Sequence, residues 1–314
     1  MGKKLVLLLL LIFPISSVAL DSSFQSYLSA LEGQSLINLE GSEALIVPNM
    51  NHSKAKDQTY LFDRLPVYSL NQSINGTFLS QVGSVSDKDK KSKIIACVSP
   101  FNISEYLAGI PESSHFSRID CNETPVEWNK SNAANFKISK KPVGMYTLYV
   151  FDENKSTLIS KQPFLITEGE IVLKMDHIVA SMEPFIRIKM NTTALKNQSK
   201  FFAALLIPRE DYDNVSLSLA ENRTTGGSDF NLSLGSKSLQ TYGSLRVSSD
   251  LLMNLLPLLP QGSAVGLQES TQPGVDLILM TDKPWEKGQY VLICGVYSPE
   301  KGLVGIKQAN VEVI

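Results

Sequence analysis

Asparagines in this sequence could accept N-linked glycans at an unusually large number of positions. The acceptor pattern is Asn followed two residues later by Ser or Thr, with no Pro between them. It occurs twelve times, whereas random placement of the chain's Asn, Ser and Thr residues would give about three. The preference of Asn and Ser for turns explains only part of this excess. The predicted acceptors are Asn51, Asn71, Asn75, Asn102, Asn122, Asn129, Asn154, Asn191, Asn197, Asn214, Asn222 and Asn231.

Because an attached glycan is bulky and hydrophilic, every acceptor side chain must point into solvent. The sequence therefore predicts that all of these asparagines are exposed. The weakest acceptor is Asn122, since Pro125 directly follows its Thr124. A chain with so many acceptor sites is typical of a protein that works outside the cytoplasm.

Residues suited to catalysis form no recognisable pattern. The phrase GSAVG at Gly262–Gly266 resembles a nucleophile elbow but lacks its Gly-x-Ser-x-Gly spacing. Paired acids such as Asp211 and Asp213 lack the further oxygen ligands of a calcium site, so solvated turn residues are the favoured interpretation. The three histidines, which stand far from one another and without metal-ligand spacing, are His52, His115 and His177. The sequence therefore predicts no enzyme, no metal site and no cofactor.

Three cysteines are too few for a disulfide scaffold. Cys97 and Cys294 lie inside apolar runs, where a small buried residue is the favoured interpretation. A bridge between Cys97 and Cys121 is the alternative, and it would leave Cys294 unpaired. On either interpretation, the stability of the chain must come from its hydrophobic cores.

Short strand-like segments must position the glycan acceptors and the cysteines. Runs such as residues 35–39, 93–98, 145–151, 200–207 and 289–297 are rich in β-branched, aromatic or Leu residues and are separated by Gly, Pro, Asn and Asp. Helical patterns are few and short, and they cover residues 24–31, 105–110 and 250–256. The sequence therefore predicts a mainly all-β fold, built as antiparallel sandwiches with a few short helices.

One motif, Gly-x-Tyr-x-Leu, occurs twice, with the copies 144 residues apart. In immunoglobulin-like (Ig-like) sandwiches, a Tyr near the start of the penultimate strand turns its hydroxyl back onto the preceding corner, and the residue two positions later points into the core. The two halves also match upstream of the motif, where Val98 and the short predicted helix after it align with Val247 and a second short predicted helix. The motif residues are Gly144, Tyr146 and Leu148 in one copy and Gly288, Tyr290 and Leu292 in the other.

These matches indicate two copies of one module. We expect a first β-sandwich domain over residues 20–167 and a second over residues 168–314. The net charge of −2, with acids and bases interspersed, argues against a nucleic-acid partner. Two ordinary strands that both begin Gly-x-Tyr are the alternative to a repeat.

The first nineteen residues are typical of a secretory signal peptide. Lys3 and Lys4 precede an apolar run over residues 5–15, and small residues stand at Ser17 and Ala19, where a signal peptidase cleaves. We expect cleavage after Ala19, because the apolar run is shorter than the roughly 17–25 residues of a spanning helix. We expect no transmembrane segment after it and no lipid anchor, so the predicted location is extracellular or at the cell surface.

The most apolar segment of the mature chain follows the last predicted glycan acceptor. It contains Leu251, Leu252, Leu255, Leu256, Leu258 and Leu259. A short helix that is apolar on nearly every side is either enclosed by the fold or covered by a partner or membrane. Burial between the two domains is the favoured interpretation, and a contact patch free of glycans is the alternative.

Taken together, the leader, the frequent acceptor sites and the Gly-x-Tyr-x-Leu strands resemble poorly characterised extracellular proteins of methanogenic archaea that contain Ig-like modules. The resemblance spans the whole chain in layout and is strongest over Lys141–Phe151. It implies location and architecture and assigns no functional residue.

Two functions fit these features. The first is a glycosylated, non-enzymatic interaction or structural protein of the cell surface, with other envelope proteins or glycans as partners. The second is a carbohydrate-binding module or a secreted glycan-active enzyme, for which Trp128 and Trp285 are the residues that would stack on a sugar.

Overall fold

A computed structural model describes residues 35–40, 43–46, 50–52, 64–80, 94–101, 124–125, 127–128, 133–152, 157–175, 185–213, 216–222, 227–234, 237–241, 259–281 and 285–313. Its strands up to residue 167 are β1 (Ser35–Glu40), β2 (Glu43–Ile46), β3 (Met50–His52), β4 (Arg64–Ser69), β5 (Ile74–Ser80), β6 (Ile94–Pro100), β7 (Thr124–Pro125), β8 (Glu127–Trp128), β9 (Ala133–Ile138), β10 (Gly144–Asp152) and β11 (Thr157–Thr167). Those that follow are β12 (Ile171–Lys174), β13 (Phe185–Thr192), β14 (Lys200–Pro208), β15 (Ser216–Asn222), β16 (Gly227–Leu234), β17 (Lys237–Thr241), β18 (Ala264–Ser270), β19 (Gly274–Met280), β20 (Gly288–Ser298) and β21 (Gly302–Val313), with one helix, α1 (Arg209–Asp213).

The predicted all-β fold is confirmed. The predicted strands form with bounds close to those expected, and the described part of the chain contains one five-residue helix. That helix was not anticipated. The three predicted helices, over residues 24–31, 105–110 and 250–256, lie outside the described residues.

The chain forms two compact units. In the sequence, the longest segment of one unit ends at Ile166, and the longest segment of the other begins at Thr167. Strand β11 ends at this point and β12 begins four residues later in a different sheet. The unit that begins at Thr167 also includes the segment Leu45–Arg64, which contains β3. We refer to the unit that ends at Ile166 as the first sandwich and to the other as the second sandwich.

Two sheets form the first sandwich. Their strand orders are β1-β5-β9-β8 and β2-β4-β11-β10-β6-β7. Alternate residues of both sheets meet in one hydrophobic core, as period-two side-chain alternation requires. Phe164 lies at the centre of this core, edge-on to Tyr68 at 6.3 Å and stacked on Tyr146 at 5.6 Å between ring centroids.

In the second sandwich, one seven-stranded sheet folds over on itself. Its order is β12-β13-β19-β18-β14-β20-β21, and β18 pairs with β19 only at Val265 and Met280. Close to this junction, a Cβ on Gly266 would lie 2.5 Å from the carbonyl oxygen of Ile278, so only glycine fits. The strands before and after the junction share one core, in which Ile188 and Leu292 are fully buried.

A separate four-stranded sheet, of order β17-β16-β15-β3, also belongs to the second unit. Strand β3 pairs in parallel with β15, through Met50 with Leu217 and His52 with Leu219. One short segment from the N-terminal part of the chain is therefore part of a sheet with strands from its C-terminal half.

The two sandwiches share a strand arrangement around the Gly-x-Tyr-x-Leu motif. In each, the strand that contains the motif, β10 or β20, pairs with the following strand by a hairpin and with an earlier strand on its other side. The partner of Tyr146 on that earlier strand is Pro100, and the partner of Tyr290 is Pro208. A shared register with a proline opposite each tyrosine supports the duplication.

The strand pairing gives Val98 a different counterpart in the second sandwich from the Val247 expected from the sequence. Val98 pairs with Leu148, and the residue that pairs with Leu292 is Leu206. Leu206 is therefore the counterpart of Val98, while Val247 lies outside the described residues. The sequence alignment failed here because the second sandwich contains α1 and three additional strands between β14 and β18.

Both faces of the sheet that carries the motif are buried in each unit. In β10, Leu148 and Tyr149 point to opposite faces and are 0% and 1% exposed. In β20, Val291 and Leu292 are both 0% exposed. An Ig-like sheet that is free on its outer side would expose every second residue, so these strands form the interior of their units.

The loop between β13 and β14 closes over a fully buried lysine. Lys200 Nζ donates hydrogen bonds to the carbonyl oxygens of Leu195 at 2.9 Å, Gln198 at 3.1 Å and Thr271 at 3.3 Å. All three ammonium hydrogens thus have acceptors, as a buried charge requires. Within this loop, Leu195 and Asn197 adopt left-handed backbone conformations with φ of 55° and 60°.

Candidate functional site

The two motif tyrosines form hydrogen bonds at equivalent positions. Tyr146 Oη donates to the carbonyl oxygen of Pro142 at 3.0 Å, and Tyr290 Oη donates to that of Glu286 at 2.9 Å. Each bond spans four residues back along the chain, which is the geometry of a tyrosine corner. Burial raises the pKa of both hydroxyl groups, so they stay protonated and act as donors.

The two motif leucines lie in the cores of their units. Leu148 and Leu292 are both completely buried. They occupy the position at which an antibody domain has its second cysteine, so apolar packing takes the place of an inter-sheet bridge here. Gly144 and Gly288 each begin the strand that contains the motif.

Four predicted glycan acceptors have side chains that the structure describes, and all four are exposed. Asn71 lies in the turn after β4, and Asn75 lies on the outer face of β5. Asn191 lies near the end of β13, and Asn197 lies in the following loop. An exposed side chain is the condition that glycan attachment sets at each position.

The remaining acceptors are described only in part or not at all. Asn51, Asn222 and Asn231 lie in β3, β15 and β16, and their side chains are outside the described part of the structure. Positions that lie wholly outside the described residues are Asn102, Asn122, Asn129, Asn154 and Asn214.

Asn191 lies across a glycine on the neighbouring strand. It pairs with Gly274 of β19, and a Cβ on Gly274 would lie 1.8 Å from Asn191 Oδ1. The side chain of Asn191 therefore occupies the space that any other residue at position 274 would need. The sequon threonine, Thr193, accepts a hydrogen bond from the backbone N–H of Glu170 at 3.2 Å.

The cysteines have different states. Cys97 is disulfide-bonded, whereas Cys294 is free and buried. The remaining cysteine, Cys121, lies outside the described residues. Burial raises the pKa of the Cys294 thiol to about 12 against the opposing effect of nearby Lys307, so Cys294 behaves as a small hydrophobic residue.

Of the apolar segment that could form a contact patch, the structure describes only the last leucine. Leu259 is 8% exposed and therefore belongs to the interior. Leu251, Leu252, Leu255, Leu256 and Leu258 lie outside the described residues, so the contact-patch hypothesis stays a prediction for them.

Groups that could do chemistry are dispersed among the described residues. Within these residues, no three His, Cys, Asp or Glu side chains are placed to hold a metal ion. Ser263, in the GSAVG phrase, is buried, and its hydroxyl has no hydrogen-bond partner among the described groups. Asp213 pairs with Arg209 at 3.0 Å within α1, while burial and the nearby Glu210 raise the pKa of Asp211.

The tryptophan that would stack on a sugar is enclosed by the fold. Trp285 is 8% exposed and packs edge-on against Tyr290, with 6.2 Å between ring centroids. Its indole therefore supports the tyrosine corner and is not available for a saccharide. Trp128 lies in β8, and its side chain is outside the described part of the structure.

Sequence reasoning missed one exposed surface, on the outer side of β12, β13 and β19. We call it the basic–apolar face and define it by Lys174, Phe185, Arg187, Lys189, Ile278 and Met280. The available signal was alternation, because the charged residues of β13 lie opposite its buried Ile186, Ile188 and Met190. The sequence showed which β13 side chains are buried, but it could not show that Ile278 and Met280 lie beside the exposed ones.

Comparisons with known proteins identify no family. No family model matches the chain, and no curated protein matches its sequence. A solved protein of Corynebacterium diphtheriae assigned as membrane-anchored aligns at 13% identity and a TM-score of 0.23, covering 79% of this chain and 57% of its own. The fibronectin(III)-like modules of Clostridium thermocellum CbhA align at 10% identity and a TM-score of 0.20, covering 88% and 94%.

The BSP domain of a biofilm-associated protein aligns at 12% identity and a TM-score of 0.19, covering 79% of this chain and 28% of its own. The chain therefore spans little more than half of the first of these proteins and less than a third of the last. At such low TM-scores, function has to be argued from the chain's own residues. Among the described residues, no helix has the length and apolar character needed to span a bilayer.

Proposed function

We propose that the chain is an exported, N-glycosylated surface protein that acts without catalysis, through the exposed faces of its two β-sandwiches. The observation that carries the proposal is the exposure of every described acceptor side chain, at Asn71, Asn75, Asn191 and Asn197. Two of these lie within strands, where a buried position would have been just as available. Each therefore meets the condition of exposure that glycan attachment sets.

The bonded state of Cys97 supports the same proposal. Disulfides form and persist in oxidising environments outside the cytoplasm and are rare inside it. The resemblance to extracellular proteins of methanogenic archaea is consistent with this location and stays a prediction.

The test is the intact mass of the protein isolated from its native cells, before and after enzymatic or chemical deglycosylation. We expect a mass above that of the polypeptide, which falls in discrete steps in Asn75→Gln and Asn191→Gln variants. Asn38→Gln is the matched control, because Asn38 is exposed on the same sheet as Asn75 but lacks the acceptor spacing. A mass equal to that of the unmodified chain would overturn glycosylation.

A second measurement addresses catalysis. We expect the purified protein to lack hydrolytic or transfer activity on polysaccharide and peptide substrates. An activity that one point mutation in a correctly folded chain abolishes would overturn the non-enzymatic part of the proposal.

A further inference from the structure

The basic–apolar face exposes large apolar side chains that an ordinary outer sheet surface would not need. Ile278 is 46% exposed and Met280 is 63% exposed. They alternate along β19 with the buried Leu277 and Leu279, so they point away from the core. Single exposed apolar residues are common on proteins, whereas adjacent ones indicate a contact surface.

These apolar residues adjoin an aromatic ring and a cation on the neighbouring strand. Phe185 pairs with Met280, and Arg187 pairs with Ile278, in the antiparallel register of β13 and β19. The guanidinium of Arg187 lies over the Phe185 ring at 5.7 Å from its centroid. This cation–π contact fixes the position of a guanidinium group whose hydrogen-bond donors still face solvent.

Further along the same face, two lysines lie directly opposite each other. Lys174 of β12 pairs with Lys189 of β13, and Lys189 pairs on its other side with Asp276. Like charges in directly opposed positions destabilise a sheet. In the part of the chain that the structure describes, neither lysine nor Arg187 forms an ion pair. The face therefore carries three cations, none of them in an ion pair within the described residues, and one carboxylate, so it is basic on balance.

The outer face of the sheet that contains β1, β5 and β9 in the first sandwich has a different character. This sheet exposes Asn38, Asn75, Asn135 and Lys137, and Thr77 is half-buried. Thr77 Oγ1 donates a hydrogen bond to Asn135 Oδ1 at 3.2 Å, so polar groups satisfy one another there. This face of the first sandwich also carries the predicted glycan acceptor Asn75. In the second sandwich, Asn191 stands six residues along β13 from Phe185, roughly 20 Å away, so a glycan there leaves the apolar end open.

We propose that the basic–apolar face binds an acidic surface of another protein, one that presents carboxylates among apolar side chains. This inference rests on the proposed function, since it names the partner class for one of the exposed faces. Carboxylates would pair with Arg187, Lys174 and Lys189, and apolar groups would cover Ile278 and Met280. A second copy of the same face would bring cation against cation, and a polyanionic saccharide would leave the apolar side chains exposed to water.

Fluorescence anisotropy on the full-length protein can test this with a short labelled peptide in which Glu alternates with Val. We expect saturable binding that weakens as salt rises, at least tenfold weaker binding of a Gln-Val peptide, and at least tenfold weaker binding to Arg187→Glu or Met280→Asp. The matched control is Lys137→Glu, the same charge reversal on the first sandwich, which should bind as the wild type does.

A further variant separates binding from folding. Lys174→Gln removes the repulsion with Lys189, so we expect a higher urea midpoint together with severalfold weaker peptide binding. A lower midpoint with unchanged affinity would overturn the proposal.

Other outcomes would also overturn it. These are equal affinity for the Glu-Val and Gln-Val peptides, tighter binding of dextran sulfate than of the Glu-Val peptide, and self-association that Arg187→Glu abolishes. Failure here leaves the mass measurement of glycosylation unaffected, so failure of this inference can be distinguished from failure of the proposed function.

Discussion

Lys200 offers the most direct test of what holds the loop between β13 and β14 in place. We expect Lys200→Met to lower the free energy of unfolding of the second sandwich by about 2–3 kcal/mol. Methionine keeps most of the buried apolar stem, so the change isolates the ammonium group and its three carbonyl partners.

The magnitude follows from the three bonds that Lys200 Nζ makes, to Leu195, Gln198 and Thr271. A hydrogen bond to a charged group contributes about 1.5–3 kcal/mol, so three at the low end contribute about 4.5 kcal/mol. Gln198 and Thr271 are exposed residues, so water can reach their carbonyl groups once the ammonium is gone. We expect this replacement to recover roughly half of the loss.

Urea unfolding followed by intrinsic fluorescence measures the difference, and Lys196→Met is the matched control. Lys196 lies in the same loop but is exposed, so its replacement should change the free energy of unfolding by less than about 0.5 kcal/mol. If Lys200→Met is as stable as the wild type or more stable, the cost of burying the ammonium exceeds its hydrogen bonding. The reasoning from the three contacts would then be wrong.

Three further outcomes follow from the motif strands. Tyr146→Phe and Tyr290→Phe each remove one corner hydrogen bond, and urea unfolding should show each variant about 1 kcal/mol less stable; an unchanged midpoint in both would contradict the corner assignment. Leu148→Ala and Leu292→Ala should each cost about 2–5 kcal/mol in the same assay, and a loss below about 1 kcal/mol would contradict full burial. Because burial raises its thiol pKa to about 12, Cys294 should react with iodoacetamide only after denaturation, as peptide mass mapping can show; rapid alkylation of the native protein would contradict this.

Much of the fold could be predicted because several strands have an apolar pattern that is recognisable in the sequence alone. In β13, the strict alternation of apolar and polar residues in the sequence indicates both a strand and its buried face, and the structure agrees. In β20, the apolar run over residues 289–297 predicted the strand, and the structure shows that it is buried on both sides. The tyrosine corners followed from two residues at fixed spacing, since their hydrogen bonds are local.

Other strands were missed for physical reasons. Strand β5 contains Asn75 and Gly76, both unfavourable in isolated strands, and it forms because Phe136 of β9 fills the space above the glycine. In β21, two glycines and the short polar stretch KQAN interrupt the apolar pattern, and the strand is secured by its hairpin with β20. Tertiary packing decides such cases, and a single sequence does not record it.

Functional positions could be predicted from the sequence only where a short local pattern is enough to define them. Glycan acceptors follow from a three-residue pattern, whereas the basic–apolar face requires β12, β13 and β19 to lie side by side. Ile278 and Arg187 are far apart in sequence, and only the pairing of β13 with β19 brings them together. The buried position of Trp285 likewise became clear only from its packing against Tyr290.

The parallel pairing of β3 with β15 imposes an order on how the chain matures. Met50 meets Leu217, and strands β4 to β11 of the first sandwich lie between them in the sequence. During synthesis from the N-terminus, β3 must therefore wait without a partner until β15 has emerged. Pairings between such distant segments form late, because the entropy of closing the intervening loop opposes them. A chain interrupted before β15 would keep β3 as an unpaired segment, so completion of this small sheet marks a chain whose synthesis has passed β17.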